Sequence, residues 1–149
     1  MQNLLRQYIF EVLSRQDYEK TYQTASRVHQ DQRRRSGEPY FEHPKAVRNI
    51  VRKYYPSDRI SQLAALLHDT LEDAADPQEM EELIKQVCPE ALPIVQELTH
   101  DKSALYTDYV LSLSPDATAV KMLDMWHNVQ DLEPGSKQFQ KYHDALIAL

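Results

Sequence analysis

Apolar residues return along the chain every three or four positions. Leu4, Leu5, Tyr8, Ile9, Val12 and Leu13 form one such stripe, Ala46, Val47, Ile50 and Val51 a second, and Ile60, Leu63, Ala64, Leu67 and Leu71 a third. That spacing places each set on one face of an α-helix. Alternation with period two is nowhere sustained long enough for a strand. Helix starts are marked by Asp17, by Pro44 directly after His43, by Ser57-Asp58, and by Asp76-Pro77 with Glu79 following. A short polar side chain can cap the free backbone N–H groups there, and proline fits the first turn. Stops fall near Tyr55-Pro56, Cys88-Pro89 and Glu133-Pro134-Gly135. The pattern predicts an all-α fold, a bundle of roughly eight helices joined by short loops.

Composition agrees with this reading. Only two glycines, Gly37 and Gly135, stand among 149 residues, too few for a protein built on tight hairpin turns. The length suits one domain over residues 1–149 with a single core. Hydrophobic residues make up 42% and charged residues 27%, a globular mixture. No apolar run is long enough to cross a bilayer, and Arg6, Glu11 and Arg15 interrupt the N-terminus, so neither a membrane span nor a signal peptide is expected. The single cysteine, Cys88, permits no internal disulfide and fits a reducing cytoplasm.

Charge narrows the partners. With 17 Lys and Arg against 23 Asp and Glu the net charge is −6, the wrong sign for a protein that coats nucleic acid. The charge is also unevenly spread. Residues 1–59 hold 12 basic and 7 acidic side chains, whereas residues 60–149 hold 5 and 16. Much of the basic excess collects at Arg33-Arg34-Arg35, just before the stiff segment Ser36-Gly37-Glu38-Pro39-Tyr40 and then Phe41-Glu42-His43-Pro44. A rigid, irregular connector of this kind is where functional side chains are displayed.

The densest chemistry lies in Leu67-His68-Asp69-Thr70-Leu71-Glu72-Asp73. On one continuous helix, His68, Asp69, Glu72 and Asp73 share a face, so an imidazole and three carboxylates come together. The apolar approach from Ile60 to Leu67 brings that cluster toward the core, where unpaired carboxylates are costly and a cation would hold them. Further ligands have to come from elsewhere. His43 is held between a stiff loop and a proline, and Asp124 sits in the apolar stretch Val120 to Asn128, on one helix face with Lys121 and Asn128. Read singly, His43 is a histidine at a helix start and Asp124 a salt-bridge partner of Lys121. Together with His68 and Asp69 they supply two imidazoles and two carboxylates, donors suited to manganese, iron or a similar ion that keeps open positions.

These segments resemble a known family. His29-x-x-Gln32-x-Arg34-Arg35-Ser36-Gly37-Glu38-Pro39-Tyr40-x-x-His43-Pro44, then Ala64 to Asp73, then Val120-Lys121-Met122-Leu123-Asp124 with His127-Asn128 are similar to the three motifs of RelA/SpoT-type alarmone hydrolase domains of the HD superfamily. The resemblance runs from about Tyr18 to Leu132. It implies an HD-type helical domain and manganese-dependent removal of the 3′-pyrophosphate of ppGpp or pppGpp, giving GDP or GTP. It implies His43, His68, Asp69 and Asp124 as manganese ligands, with another divalent ion an alternative. Glu72 and Asp73 match the pair that activates and orients water. Arg34, Arg35, Ser36, Lys121 and Asn128 match residues that meet the nucleotide, with Arg34 against the base.

The substrate so implied is a small nucleotide, with neither nucleic acid nor membrane as partner. Met125-Trp126 replaces a basic residue and a leucine usual in the family, and the interval from Asp73 to Asp124 is short for it. With no synthetase or regulatory segment in the sequence, the chain resembles the stand-alone small alarmone hydrolases, the metazoan SpoT homologue included, or the hydrolase part of a longer protein. Two other readings fit the same residues. One is an HD phosphohydrolase acting on ppApp or a ribose-phosphate nucleotide. The other is a catalytically silent alarmone-binding module. Trp126 and the tyrosines are expected as packing, and His100 and His143 as surface residues.

Overall fold

Ile60 to Leu71 is the most apolar stretch of the chain, and the fold is wrapped around it. The structure, a computed structural model, describes residues Met1 to Leu149. It contains nine α-helices and no sheet: α1 (Gln2–Val28), α2 (Glu42–Tyr54), α3 (Arg59–Leu67), α4 (Thr70–Asp73), α5 (Pro77–Val87), α6 (Leu92–Leu98), α7 (Tyr106–Leu111), α8 (Pro115–Gln130) and α9 (Lys137–Ala148), with a 3₁₀ turn at Pro89–Ala91. Every residue from Ser61 to Leu67 is buried, so α3 is covered on all sides, and it packs against α1, α2, α6 and α8. A helix surrounded by others needs apolar residues around its whole circumference. Leu63 to Leu67 supply them at the centre of the main core. A smaller core of Tyr109, Val110, Met125 and Ala145 joins α7, α8 and α9.

The expected all-α class is borne out, and most capping signals behave as expected. Asp58 accepts the backbone N–H of Ser61, Asp76 those of Gln78 and Glu79, and Ser114 that of Ala117. Asp17 does not start a helix: α1 runs unbroken from Gln2 to Val28, and Asp17 instead receives Arg59 Nη1 at 3.1 Å. The N-terminal stripe is likewise not core. Leu4, Leu5, Tyr8, Ile9 and Leu13 are exposed, because the rest of the bundle meets α1 only beyond that point. Trp126 also faces outward, at 51% exposure, while Met125 beside it is fully buried. No helix is long and apolar enough to cross a membrane.

Candidate functional site

His68 and Asp69 do not sit on a continuous helix. α3 ends at Leu67 and the next turn, α4, starts at Thr70. Two side chains take the carbonyls that a continuing helix would use: His68 Nδ1 bonds the Ala65 oxygen at 2.6 Å and the Thr70 hydroxyl donates to the Leu67 oxygen at 2.7 Å. Side chains that compete in this way end helices. The resulting bend aims His68 and Asp69 at one point while Glu72 and Asp73 diverge from there. This corrects the expectation of four polar groups on one helix face.

The second component is the loop between α1 and α2. Arg34 N–H donates to Glu38 O and Gly37 N–H to Arg34 O, closing a turn in which Gly37 adopts a φ of 89°. An L side chain is strained at that φ, so glycine belongs there. Arg33 and Pro39 form an antiparallel bridge, and Tyr40 N–H reaches back to Gln32 O. This compact loop delivers His43 into the first turn of α2, where it is buried. The third component, α8, presents Lys121, Asp124 and Asn128 along one face.

The three components converge on four donor atoms. His43 Nε2 is 2.8 Å from Asp124 Oδ1 and 4.0 Å from Asp69 Oδ2, and His68 Nε2 is 3.0 Å from Asp69 Oδ2 and 3.3 Å from Asp124 Oδ1. Ligands at about 2.0–2.2 Å from one ion lie about 3 Å from their neighbours, so this spacing suits a shared cation. His43, His68 and Asp69 in particular can all reach one ion, and Asp124 closes the group. The backbone fixes the tautomer of His68. Its Nδ1 faces a carbonyl, which can only accept, and its buried Nε2 has no hydrogen-bond partner although two carboxylates stand beside it. A buried, unsatisfied nitrogen aimed at carboxylates is the mark of a place made for a positive charge.

Electrostatics agree. Burial opposes a charged His68, but Asp69 and Asp124 outweigh it and hold its pKa well above the usual value. Burial likewise opposes ionised Asp69 and Asp124, yet His68 lowers the first, and Lys121 with His68 lowers the second. A point that attracts a proton this strongly attracts other cations. Asp124 Oδ2 accepts from Lys121 Nζ at 2.9 Å and its Oδ1 from Asn128 at 2.9 Å. The salt bridge to Lys121 and the place beside two histidines are thus both real for Asp124.

Around this point opens a cavity of about 420 Å³. Asp69, Glu72, Lys121, Asp124 and Asn128 line it, and Arg34, Arg35 and Ser36 form one wall. Arg34 is not a free surface cation: its Nη2 donates to Asp131 at 2.7 Å and to Asn128 at 3.3 Å. Arg33 stays exposed, as a solvated residue should, but it too borders the cavity. Glu72 Oε1 accepts the backbone N–H of His100 at 2.7 Å, which holds it at the rim. Asp73 lies off the cavity, with His29 Nδ1 at 3.6 Å from its Oδ2. Burial first, then Asp69, raises the Asp73 pKa, while His29 lowers it.

Several lining residues escaped the sequence reading. Tyr40 donates its hydroxyl to Asp69 Oδ2 at 2.7 Å. A further part of the wall comes from the 99–105 loop, α7 and α9, with Lys102, Tyr106, Gln138, Lys141 and Tyr142. Lys141 Nζ lies over the Tyr106 and Tyr142 rings at 4.5 and 4.7 Å, and burial and then Lys121 lower its pKa. Gln138, Lys141 and Tyr142 fall beyond Leu132, where the motif resemblance ends, and α9 carries no motif that would have found them. His100 is not merely a surface residue: its ring packs against Tyr106 and Tyr109. His127 meets His43 Nδ1 at 2.7 Å. Met125 fills the smaller core and lies off the cavity.

Comparison with known proteins gives a consistent result. The sequence pattern of the family described as HD domain matches residues 21–140. The chain is 35% identical over 127 residues to the GTP pyrophosphokinase rsh of Brucella melitensis, covering 76% of this chain and 16% of that protein. It is 31% identical over 135 residues to the GTP pyrophosphokinase of Myxococcus xanthus, covering 81% and 18%. It therefore spans less than a fifth of the length of these relatives. A solved structure of a metazoan ortholog of SpoT, described as hydrolysing ppGpp with a role in starvation responses, superposes with a TM-score of 0.72 at 24% identity, covering 88% of this chain and 83% of that one. That likeness is one of fold.

Proposed function

Because this chain belongs to the HD domain family, we propose that it is a manganese-dependent hydrolase of guanosine alarmones, removing the 3′-pyrophosphate of ppGpp and pppGpp to leave GDP and GTP. The observation that carries the reading is the convergence of His43 Nε2, His68 Nε2, Asp69 and Asp124 on one point, with Asp69 and Asp124 lining a cavity bordered by cationic side chains. Residues 1–149 act as one HD-type unit in this reading. His43, His68, Asp69 and Asp124 hold the ion. Nitrogen and hard oxygen donors without thiolate suit manganese or a similar divalent ion. When bound, such an ion withdraws charge from a phosphoryl oxygen and acidifies a water.

The remaining steps belong to the chain. Glu72 stands at the rim with one carboxylate oxygen engaged by His100 N–H, which leaves the other to accept the proton of an attacking water and return it to the leaving 3′-oxygen. Asp73 is the second carboxylate of the pair. It lies behind the cavity, and burial and then Asp69 raise its pKa above the usual carboxylate value, so its part in this reading is to position the groups that line the cavity. Arg34 is fixed by Asp131 and Asn128, and so offers a flat, immobile guanidinium on which a purine can stack. Arg35, Ser36, Lys121 and Asn128 line the same cavity, and this reading assigns Asn128 to the ribose and base. Local positive charge along the cavity wall overcomes the net −6 that would otherwise repel a polyphosphate.

Release of pyrophosphate from ppGpp is the direct test, with and without manganese and with ppApp and GTP as comparison substrates. The reading expects manganese-dependent turnover of ppGpp well above that of GTP. Turnover of ppApp but not ppGpp would overturn the base assignment, and no turnover of either with manganese bound would overturn the reaction.

A further inference from the structure

His43 and His68 turn their Nε2 atoms to the same point, but their other nitrogens are held by different means. His68 Nδ1 faces the Ala65 carbonyl, so the backbone itself dictates that Nδ1 carries the hydrogen. His43 has no carbonyl there. Its Nδ1 has one hydrogen-bond partner, His127 Nδ1 at 2.7 Å. Two imidazole nitrogens at that distance share one hydrogen, so one ring donates and the other accepts. When His127 donates, the hydrogen of a neutral His43 resides on Nε2, which faces Asp124 Oδ1 at 2.8 Å and cannot then ligate. When His127 accepts, His43 Nε2 is left with a free lone pair.

We propose that His127 is a positioning residue for His43: it accepts the His43 Nδ1–H, keeps its own hydrogen on Nε2, and so fixes both the tautomer and the ring plane of a ligand it never replaces. The proposal rests on the reading above that His43 holds a divalent ion. His43 is 1% exposed, which shuts out solvent water as a ready substitute acceptor. The two rings lie 4.9 Å apart between centroids at 31°, so an apolar ring at position 127 would fill the same space and accept nothing. His127 stands one helical turn after Asp124 on α8. A single helix therefore supplies one ligand directly and supports another that belongs to α2. Partners of this kind are worth about 10–100-fold in metal affinity.

Calorimetric titration of the full chain with Mn²⁺ alone tests this, using wild type, His127→Phe, His127→Leu and His127→Asn. Asparagine places Oδ1 where Nδ1 stands and can accept the same hydrogen. The dissociation constant should rise about 10–100-fold in the Phe and Leu variants and return most of the way in His127→Asn, while the metal-free unfolding midpoints do not follow that order. Should His127→Phe fail to fold, Leu against Asn gives the same contrast. Equal affinity across the folded variants, or Asn binding no better than Phe or Leu, would refute the role of His127 and leave the metal site standing. A wild type that binds no Mn²⁺ would remove the site and this inference with it.

Discussion

Lys121 Nζ lies 2.9 Å from Asp124 Oδ2, three residues apart on α8, and both side chains are buried. Burial disfavours the charge on each, and each holds the other ionised. Removing one member of such a pair leaves an uncompensated charge. Lys121→Met should therefore cost about 3–5 kcal/mol in urea unfolding of the metal-free protein. Saturating manganese should shrink that deficit, because the ion restores a cation beside Asp124. A deficit that manganese leaves unchanged would mean that Asp124 does not face the ion.

Asp124 and Glu72 should fail in different ways. Asp124→Ala should abolish manganese binding and turnover together. Glu72→Gln should bind manganese as wild type does and lose about 10²–10⁴-fold in turnover number. The check is metal titration beside steady-state kinetics on each variant. Wild-type activity in Glu72→Gln at saturating metal would exclude Glu72 from proton transfer.

Metal binding should release protons. Asp69 and Asp124 raise the His68 pKa above its ordinary value of about 6.5 despite burial. In the metal-free protein the stability from that charge is fully present below about pH 6.5 and is lost as pH rises through the raised value. An ion at Nε2 displaces the proton, so manganese affinity should increase with pH. Calorimetry at pH 7 in buffers of different ionisation enthalpy should show proton release on binding. Heats independent of buffer would contradict it.

Arg34 is held by Asp131 and Asn128 before any substrate arrives. Arg34→Lys keeps the charge but loses the flat fork. KM for ppGpp should rise about 10-fold or more, with a smaller change in kcat. A fall in kcat at constant KM would place Arg34 in the chemical step instead of in binding.

The first half of α1 contributes little to the core. Leu4, Leu5, Tyr8, Ile9 and Leu13 are exposed. Deleting residues 2–14 should shift the thermal midpoint by less than about 4 °C, equivalent to under 1 kcal/mol. A larger loss would show that this stripe is covered in solution.

Much of the candidate site is legible in the chain because its groups lie within short, rigid segments. The order His43, His68-Asp69, Asp124 is local to three motifs, and the HD domain assignment over residues 21–140 bears out the family they resemble. Helical periodicity in the three stripes, with no sustained alternation of period two, points to the all-α class, and in the structure the apolar run becomes the covered helix α3. Periodicity fails at both ends of its range. It groups Leu4 to Leu13 on one helix face without saying what covers that face, and the structure leaves most of it exposed. It carries α3 straight through His68, where side-chain hydrogen bonds to Ala65 and Leu67 end the helix.

The sequence by itself thus determined the helical class, the metal-type donors and the basic loop that faces them. Tertiary structure alone decided which nitrogen each histidine offers, that Glu72 lines the cavity while Asp73 lies behind it, and that α7 and α9 supply Tyr106, Lys141 and Tyr142 as a further part of the wall. The physical reason is the range of the forces involved. Periodicity and capping act over one or two turns and are written in neighbouring residues. Hydrogen-bond direction and cavity shape depend on groups up to 97 positions apart, as between Arg34 and Asp131, and exist only once the helices have packed.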